Sequence, residues 1–384
     1  MFFITNARVM TMAGKAYETG WVAIEDGKIA AVGEGTPSFS PTEGRLDAGG
    51  AYLLPGFVDP HCHIGLFEDD LGREGEDGNE DIDPVTPHLR AIDGINPDDP
   101  SFCDALEAGI TTVVTGPGSA NVIGGQFAAL KTYGRYVDEM VLKAPQSLKV
   151  AFGENPKRTY QDQEKSPVTR MATAALLREN LVAAQEYAQK LLEGEEDPDK
   201  RPERDLKLEI ICQALQGELP VKAHAHRRDD IFTALRIARE FGLEMTVEHA
   251  TEGHLAADVL KELGARVILG PYLCGKGKVE LQNMSLEAPA CLAKAGVPFA
   301  LMSDHPETPV QFLPVQAALC VRAGLHEDQA LRAITIDAAR LCGIDDRVGS
   351  IEPGKDADLA LFSAHPLSLQ AKVLAVFVDG RKVR

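Results

Sequence analysis

The chain has 384 residues, of which 44% are hydrophobic and 25% are charged, so it is long enough to bury a large core. The formal net charge of -19 at pH 7 disfavours nucleic acid and anionic membrane surfaces as partners. No apolar run approaches the ~20 residues of a membrane span, and the start, MFFITNARVM, lacks the features of a signal peptide. Seven scattered cysteines, an odd number, indicate reduced thiols. We therefore expect a cytoplasmic protein.

Short alternating segments at both ends of the chain predict β-strands. They cover residues 4–9, 20–24 and 29–32 near the start, and 356–362 and 373–378 near the end. Asp26-Gly27 and Asp379-Gly380 are strong hairpin-turn signals between them. Because the middle of the chain follows a different pattern, we expect the two ends, 1–53 and 350–384, to form one small β-sandwich domain.

The middle of the chain, residues 54–349, alternates between strand-like and helix-like runs. The predicted strands lie at 111–115, 147–152, 221–223, 244–247, 266–269 and 299–302. The predicted helices lie at 171–192, 206–215, 230–240, 255–263, 286–295 and 310–323. Such alternation implies a parallel sheet with helical crossovers, and the length fits a closed (β/α)8, TIM-like barrel. The fold class is therefore α/β, a barrel plus the terminal β-sandwich.

The first barrel strand ends in two histidines one residue apart. The run at 56–63 is apolar and finishes with His61 and His63, and alternate strand residues point to the same face. Both imidazoles can therefore bind one metal ion. Cys62 between them points away and is read as a small packed side chain.

Other polar residues follow the later predicted strands, where a barrel would bring them together. They are Glu154, His224 with His226, His249 and Asp304. Imidazole and carboxylate ligands suit a divalent ion, zinc first, with manganese and iron as alternatives, and with one or two ions. His224 belongs to its strand proper and is the better ligand. His226 lies farther out, where a substrate contact and an ordinary surface position are both open.

Asp304 is the candidate catalytic group. A catalytic metal leaves a coordination position for water and lowers the pKa of that water towards ~7. An aspartate beside the water can accept its proton and deliver it to a leaving amine. The alternative for Asp304 is a helix N-cap or a turn.

Two loops could shape the pocket. The glycine-rich loop 116–126 carries Asn121 and Gln126, which we interpret as substrate hydrogen-bonding residues or as turn residues. The acidic segment 68–83 follows the histidine pair. It is either a lid that favours a cationic substrate or a solvated loop.

These residues, in this order, resemble the amidohydrolase superfamily, whose pattern is HxH after the first strand, histidines after the fifth and sixth, and an aspartate after the eighth. Segments 53–63 and 349–359 are similar to the imidazolonepropionase-related branch, and the resemblance covers essentially the whole chain. It implies metal-dependent hydrolysis of an amide or other C–N bond of a small molecule by metal-activated water, with Asp304 as general acid/base. A homo-oligomer is left open.

The resemblance also raises the question of a bridging ligand. Binuclear members bridge two metals with a carboxylate from the third or fourth strand, commonly a carbamylated lysine and sometimes a glutamate. No lysine ends the strand 147–152, so Glu154 is the preferred ligand and Lys131 the rival; with neither, the site is mononuclear. The first ion would be held by His61, His63, His224 and Asp304, and a second by Glu154 and His249.

Three alternatives for the function stay open. They are a mononuclear aminohydrolase that deaminates a ring, a cyclic-amide hydrolase, and a barrel that has lost catalysis and serves as a scaffold. The retained ligand set argues against the scaffold.

Overall fold

A computed structural model of the protein describes residues 1–38, 40, 42–69 and 71–384. The described strands are β1 (Phe2–Met10), β2 (Ala16–Glu25), β3 (Lys28–Glu34), β4 (Gly44–Asp47), β5 (Tyr52–Pro55), β6 (Phe57–Cys62), β7 (Ile110–Thr115), β8 (Ile123–Lys131), β9 (Val141–Ala151), β10 (Val221–Ala225), β11 (Met245–His249), β12 (Val267–Leu269), β13 (Phe299–Leu301), β14 (Leu359–Phe362), β15 (Val373–Val378) and β16 (Arg381–Lys382).

The helices cover most of the segments between the later barrel strands. They are α1 (Pro100–Glu107), α2 (Val137–Met140), α3 (Glu154–Gln161), α4 (Arg170–Glu196), α5 (Leu206–Leu215), α6 (Arg228–Phe241), α7 (Ala257–Glu262), α8 (Ala288–Ala295), α9 (Leu313–Arg322), α10 (Glu327–Ala333) and α11 (Ile336–Leu341). Among the described helices, none combines the length and the apolarity that crossing a bilayer requires.

Strands from both ends of the chain share one sheet, as the terminal patterns predict. Its order is β16-β15-β14-β5-β1-β2-β3, with β4 paired to β1. Asp26 and Gly27 have φ values of 49° and 79°, the left-handed pair that a tight two-residue hairpin needs. The stacking of two layers that would make this domain a sandwich, and the boundaries 1–53, 350–384 and 54–349, stay predictions; Phe39 and Pro41 lie outside the described residues.

The second sheet is the barrel, in the order β13-β12-β11-β10-β9-β8-β7-β6. Hydrogen bonds just beyond the last strand bring its two edges together. The Asp304 N–H donates to the His61 carbonyl over 3.1 Å, and the His63 N–H donates to the His305 carbonyl over 2.9 Å. The first and last barrel strands therefore deliver their polar residues to the same place.

One barrel strand runs against the prediction of a wholly parallel sheet. β8 pairs antiparallel with both β7 and β9. The physical reason is the short connection 116–122, which has no helix to carry the chain back to the starting edge, so the strand must return in the opposite direction. The end of β8 at Lys131 therefore lies at the amino ends of the parallel strands, opposite to the histidines.

Helices cover the outside of the barrel with apolar faces. In α6, buried Ile231, Ala234 and Ile237 recur at helical spacing, and the helix ends at Gly242 in the left-handed conformation. Burying a side chain such as isoleucine stabilises the fold by roughly 1.5–3 kcal/mol. This packing fixes β10 and β11, which carry His224 and His249, and the end of β10 that His226 follows.

Candidate metal centre

A cavity of about 420 Å³ opens at the carboxyl ends of the barrel strands. Its walls include His63, His224, His226, His249 and Asp304. The volume lies in the range of small-molecule sites. The residues predicted from separate strand ends thus surround one space.

Hydrogen bonds fix the orientation of three imidazoles. Nδ1 of His61 lies 2.7 Å from a Glu248 carboxylate oxygen, Nδ1 of His63 lies 2.7 Å from the Gly116 carbonyl, and Nδ1 of His249 lies 2.9 Å from the Gly270 carbonyl. Each contact occupies Nδ1 and leaves Nε2 for a ligand, as the outer partners of metal-binding histidines do.

Asp304 faces two of these free nitrogens. Its Oδ1 lies 3.4 Å from Nε2 of His63 and 3.6 Å from Nε2 of His61. Burial would raise the pKa of Asp304, but the charges of His249 and Lys149 and the hydrogen bond from His63 outweigh it and lower the pKa. The carboxylate is therefore ionised at neutral pH.

The backbone around these groups is strained. His249 has a φ of 70° and Asp304 a φ of 53°, in the left-handed region that non-glycine residues rarely adopt. Such conformations persist where the surrounding structure holds them, often at functional sites.

Asp59 holds the two edges of the barrel beside the site. It accepts hydrogen bonds from the backbone N–H and the hydroxyl of Ser303, the residue before Asp304. Burial raises the pKa of Asp59 to about 7. This contact positions Asp304 relative to His61.

Lys149 is the main site residue that sequence reasoning missed. It is fully buried in β9, and its Nζ lies 3.1 Å from Nε2 of His61 and 5.3 Å from the centre of the Phe127 ring. Burial lowers the pKa of Lys149 to about 8. The available signal was a lysine inside the otherwise apolar run 148–152, within the strand and not after its end.

Lys222 and Glu248 were missed for the same reason. Lys222 pairs in register with Lys149 across β9 and β10, and its Nζ lies 3.1 Å from a Glu248 carboxylate oxygen. Both side chains are almost fully buried. This buried ion pair lies next to His61, whose ring contacts Glu248.

The structure corrects both predicted bridging ligands. Glu154 is the first residue of α3, and its carboxylate pairs with Arg158 at 2.9 Å rather than with the histidines. Lys131 ends the antiparallel β8 and is paired at the far end of the barrel with Asp356 and Asp358. Neither residue contacts the histidines, whereas Nζ of Lys149 lies 3.1 Å from Nε2 of His61.

The histidines also group differently from the prediction. Among the described residues, two groups have ligand atoms within 4.8 Å of one another and could hold an ion. One is His61, His249 and Asp304, beside which His63 lies; the other is His224, His226 and His249. His224 therefore belongs with His226 rather than with His61, and His249 borders both groups.

The predicted substrate contacts Asn121 and Gln126 do not line this cavity. The Asn121 amide donates to the Glu80 carbonyl and to Thr86, each over 2.7 Å, and the Gln126 amide donates to the Pro87 carbonyl over 3.1 Å. These bonds hold the loop 80–87 instead. Of the described part of the acidic segment 68–83, Asn79 reaches the cavity wall but no carboxylate does; Asp70 lies outside the described residues.

The family model described as "Amidohydrolase family" matches residues 52–383, so the chain belongs to the amidohydrolase family. It is a hydrolase of carbon–nitrogen bonds other than peptide bonds, which confirms the predicted enzyme class. A solved amidohydrolase from Thermotoga maritima MSB8 is 43% identical, with a TM-score of 0.97 over 100% of both chains.

Curated relatives agree with the predicted branch. "Amidohydrolase tasK" of Hapsidospora irregularis is 30% identical over 96% of this chain, which spans 40% of that protein. An imidazolonepropionase of Cupriavidus taiwanensis is 28% identical over 91% of this chain and 85% of its own length. These relatives confirm the resemblance to the imidazolonepropionase-related branch.

Proposed function

We propose that this protein is a metal-dependent amidohydrolase that cleaves an amide or another C–N bond of a small molecule. The observation that carries the proposal is the convergence of His61, His63 and Asp304 with His249 at the mouth of the barrel. These residues come from three strand ends and meet at one buried point, with their Nε2 atoms turned towards it and with an ionised carboxylate.

The donor set fits a divalent ion. Imidazole nitrogens with a carboxylate oxygen suit zinc, and manganese and iron are alternatives. Such an ion supplies Lewis acidity and makes water at the site a better nucleophile. His61 and His63 would hold it, and Glu248 keeps the His61 ring in place through its Nδ1.

Asp304 performs the proton transfer in this proposal. Its carboxylate takes a proton from the attacking water while the new C–O bond forms, and it returns that proton to the nitrogen as the C–N bond breaks. The lowered pKa keeps Asp304 in the form that accepts a proton. Its backbone, tied to the His61 carbonyl, keeps it beside the ligands.

Lys149 takes the place that the resemblance gives to the bridging group. Because burial lowers the pKa of Lys149 to about 8, part of the amine is neutral near neutral pH. A neutral amine can add carbon dioxide, forming an N–C bond and releasing one proton, to give a carbamate. A negative group at this position suits the metal ligands better than an ammonium 3.1 Å from Nε2 of His61.

The cavity walls favour a substrate with a carboxylate. Lys278 and Arg158, which also pairs with Glu154, both line the cavity. N-acyl amino acids and cyclic amides with a carboxylate are therefore the first compounds to assay. Among the described residues, the acids on these walls are Asp304 and Glu307. An amine-bearing ring, the substrate of the deaminase alternative, would therefore have one carboxylate to bind besides Asp304.

The test is a hydrolysis assay on metal-loaded protein. We expect amino-acid release from a panel of N-acyl amino acids, and an Asp304→Asn variant that is at least about 100-fold slower. Asp346→Asn, at an exposed aspartate, is the matched control and should keep full activity. Full activity in Asp304→Asn, or ammonia release from ring amines alone, would contradict the proposal.

A further inference from the structure

The long connection between β12 and α8, residues 270–287, brings a lysine to the wall of the cavity. Lys278 is half-buried there, and its Nζ donates a hydrogen bond to Oδ1 of Asn155 over 3.0 Å. Among the described residues, none supplies a carboxylate within ion-pair distance of this amine. An ammonium has three N–H donors and the Asn155 oxygen takes one, so donors remain for a negative group in the cavity.

Asn155 is itself held by the loop 116–122. Its Nδ2 donates to the Ser119 hydroxyl over 2.8 Å, and both residues line the cavity. Ser119, Asn155 and Lys278 therefore link segments that follow three different strands, β7, β9 and β12. This chain of hydrogen bonds fixes the ammonium in place before a substrate binds, which lowers the entropy cost of binding.

The backbone that carries Lys278 is fixed by its own loop. Nζ of Lys276 donates to the carbonyls of Gln282 and Met284 over 3.2 and 2.9 Å. The Gln282 amide donates back to the carbonyls of Lys276 and Lys278 over 3.1 and 3.3 Å. The loop is thus closed on itself, and Lys278 reaches the cavity from a defined position.

Arg158 also lines the cavity but is less suited to bind an anion there. It pairs with the Glu154 carboxylate at 2.9 Å, and its side chain is 67% exposed. A charge that is already paired and lies largely in water gains little from another ion pair. Lys278 is therefore the better candidate for a substrate carboxylate.

Lys278 lies near the histidines of β10 and β11. Burial lowers the pKa values of His224 and His249, and the charge of Lys278 lowers them further. The part of the cavity next to His63 is apolar instead, because the Phe67 ring lies there, 5.5 Å from the His63 ring between centres. The cavity therefore offers a cation in one part and an aromatic surface in another.

We propose that Lys278 determines the substrate specificity of this hydrolase by binding the carboxylate of an N-acyl amino acid. Asn155 and Ser119 are positioning residues that act through Lys278. The amino-acid half of the substrate then lies towards β10 and β11, and the acyl group lies towards His63 and Phe67. This inference rests on the proposed function, and it adds the residue that recognises the carboxylate and the direction in which the substrate lies.

The experiment compares acids with their amides on metal-loaded, full-length protein. The probes are N-acetylalanine, N-acetylleucine and N-acetylphenylalanine, each with its carboxamide, which is neutral and of the same size. Acetate release gives kcat/KM for every compound, and the acid-to-amide ratio does not depend on the folded fraction of a variant. We expect wild type to prefer the acids at least about 100-fold, and Lys278→Met to lower that ratio about 10–100-fold, mainly through KM.

Asn155→Asp tests the charge without removing the lysine. Its carboxylate would pair with Lys278, so the preference for acids should fall about 10-fold or more while the amides react as in wild type. Lys294→Met, at an exposed lysine of α8, is the matched control and should keep the wild-type ratio.

An unchanged ratio in Lys278→Met, a ratio lost in Arg158→Met instead, or equal rates for acids and amides in wild type would overturn the role of Lys278. The proposed hydrolase would still stand in each case. Release of acetate from none of the six compounds would also overturn this inference, and no hydrolysis of cyclic amides in addition would overturn the proposed function with it.

Discussion

Lys131 in β8 and Lys149 in β9 are both buried lysines on neighbouring strands. They differ in their position in the barrel and in the residues that they contact. Lys131 lies at the amino end of the barrel and contacts Asp356 and Asp358 at 2.9 and 2.6 Å, with Asp379 at 3.3 Å. Lys149 lies at the opposite end, against His61 and the Phe127 ring, and takes part in none of the ion pairs described.

The difference shows in the pKa values. The pKa of Lys131 is raised, because the three aspartates outweigh the effect of burial. The pKa of Lys149 is lowered to about 8 by burial. A buried charge whose ion-pair partners are all present has a structural role. A buried amine that forms no ion pair is a candidate for a functional role.

The largest expected effect is on stability, from Lys131→Met. Removing the lysine leaves buried aspartates without their cation, which typically costs about 3–5 kcal/mol of unfolding free energy. Urea unfolding followed by circular dichroism measures it, and the activity per folded molecule should stay unchanged. A loss below about 1 kcal/mol would show that Arg347 and Lys28, which also pair with Asp356, suffice.

In the metal-free protein, groups at the two ends of the barrel should lose their contributions to stability over different pH ranges. The pKa of His249 falls to about 4 when it is buried, so the unfolded state binds more protons between pH 6.5 and 4. Stability is therefore lost as the pH falls through this range, by about 3 kcal/mol from His249 alone. Burial alone would raise the pKa of Asp356, but its ion pairs outweigh burial and lower the pKa to about 2. The contribution of Asp356 to the stability of the fold is therefore lost only between pH 3.8 and 2.

Thermal unfolding of chelated protein from pH 7 to pH 3 measures the first window. Asp59, whose pKa is raised to about 7, titrates with the opposite effect over this range, so the readout is the difference between wild type and His249→Gln. A difference that does not change between pH 6.5 and 4.5 would contradict a buried neutral His249. His249→Gln should lose less stability than wild type over this range, since one titrating group is gone while His61, His224 and His226, whose pKa values burial also lowers, remain.

Lys149→Met should give the reverse of Lys131→Met. We expect activity at least about 100-fold lower, while stability stays equal or rises, because the variant removes a buried amine without a counter-ion. Steady-state kinetics with a thermal melt of each variant checks this. If Lys149→Met lost stability and kept activity, the two lysines would have the same structural role.

The smallest expected effect on the metal site is that of Glu248→Gln, although the variant also removes the buried carboxylate that pairs with Lys222 and so lowers stability. The glutamine keeps the size of the side chain but weakens the contact that fixes the His61 ring, so affinity for the first ion should fall about 10–100-fold. A metal titration measures it, and activity should recover at saturating metal. Failure to recover would mean that Glu248 does more than orient His61.

The same comparison explains what the sequence could predict. His61, His63, His249 and Asp304 lie at or just after strand ends, and barrel topology alone brings strand ends together. Lys149 lies within a strand. Whether its side chain faces the histidines depends on the register of that strand and not on distance from the strand end. The direction of β8 depends on the connection before it, which has no helix. That direction places Lys131 at the end of the barrel opposite to the histidines.

The most direct test is the anomalous diffraction signal of crystals loaded with zinc or manganese. We predict a peak about 2.0–2.2 Å from Nε2 of His61, Nε2 of His63 and an oxygen of Asp304. Crystals that take up metal only at surface carboxylates, with these three side chains free of any peak, would contradict the account.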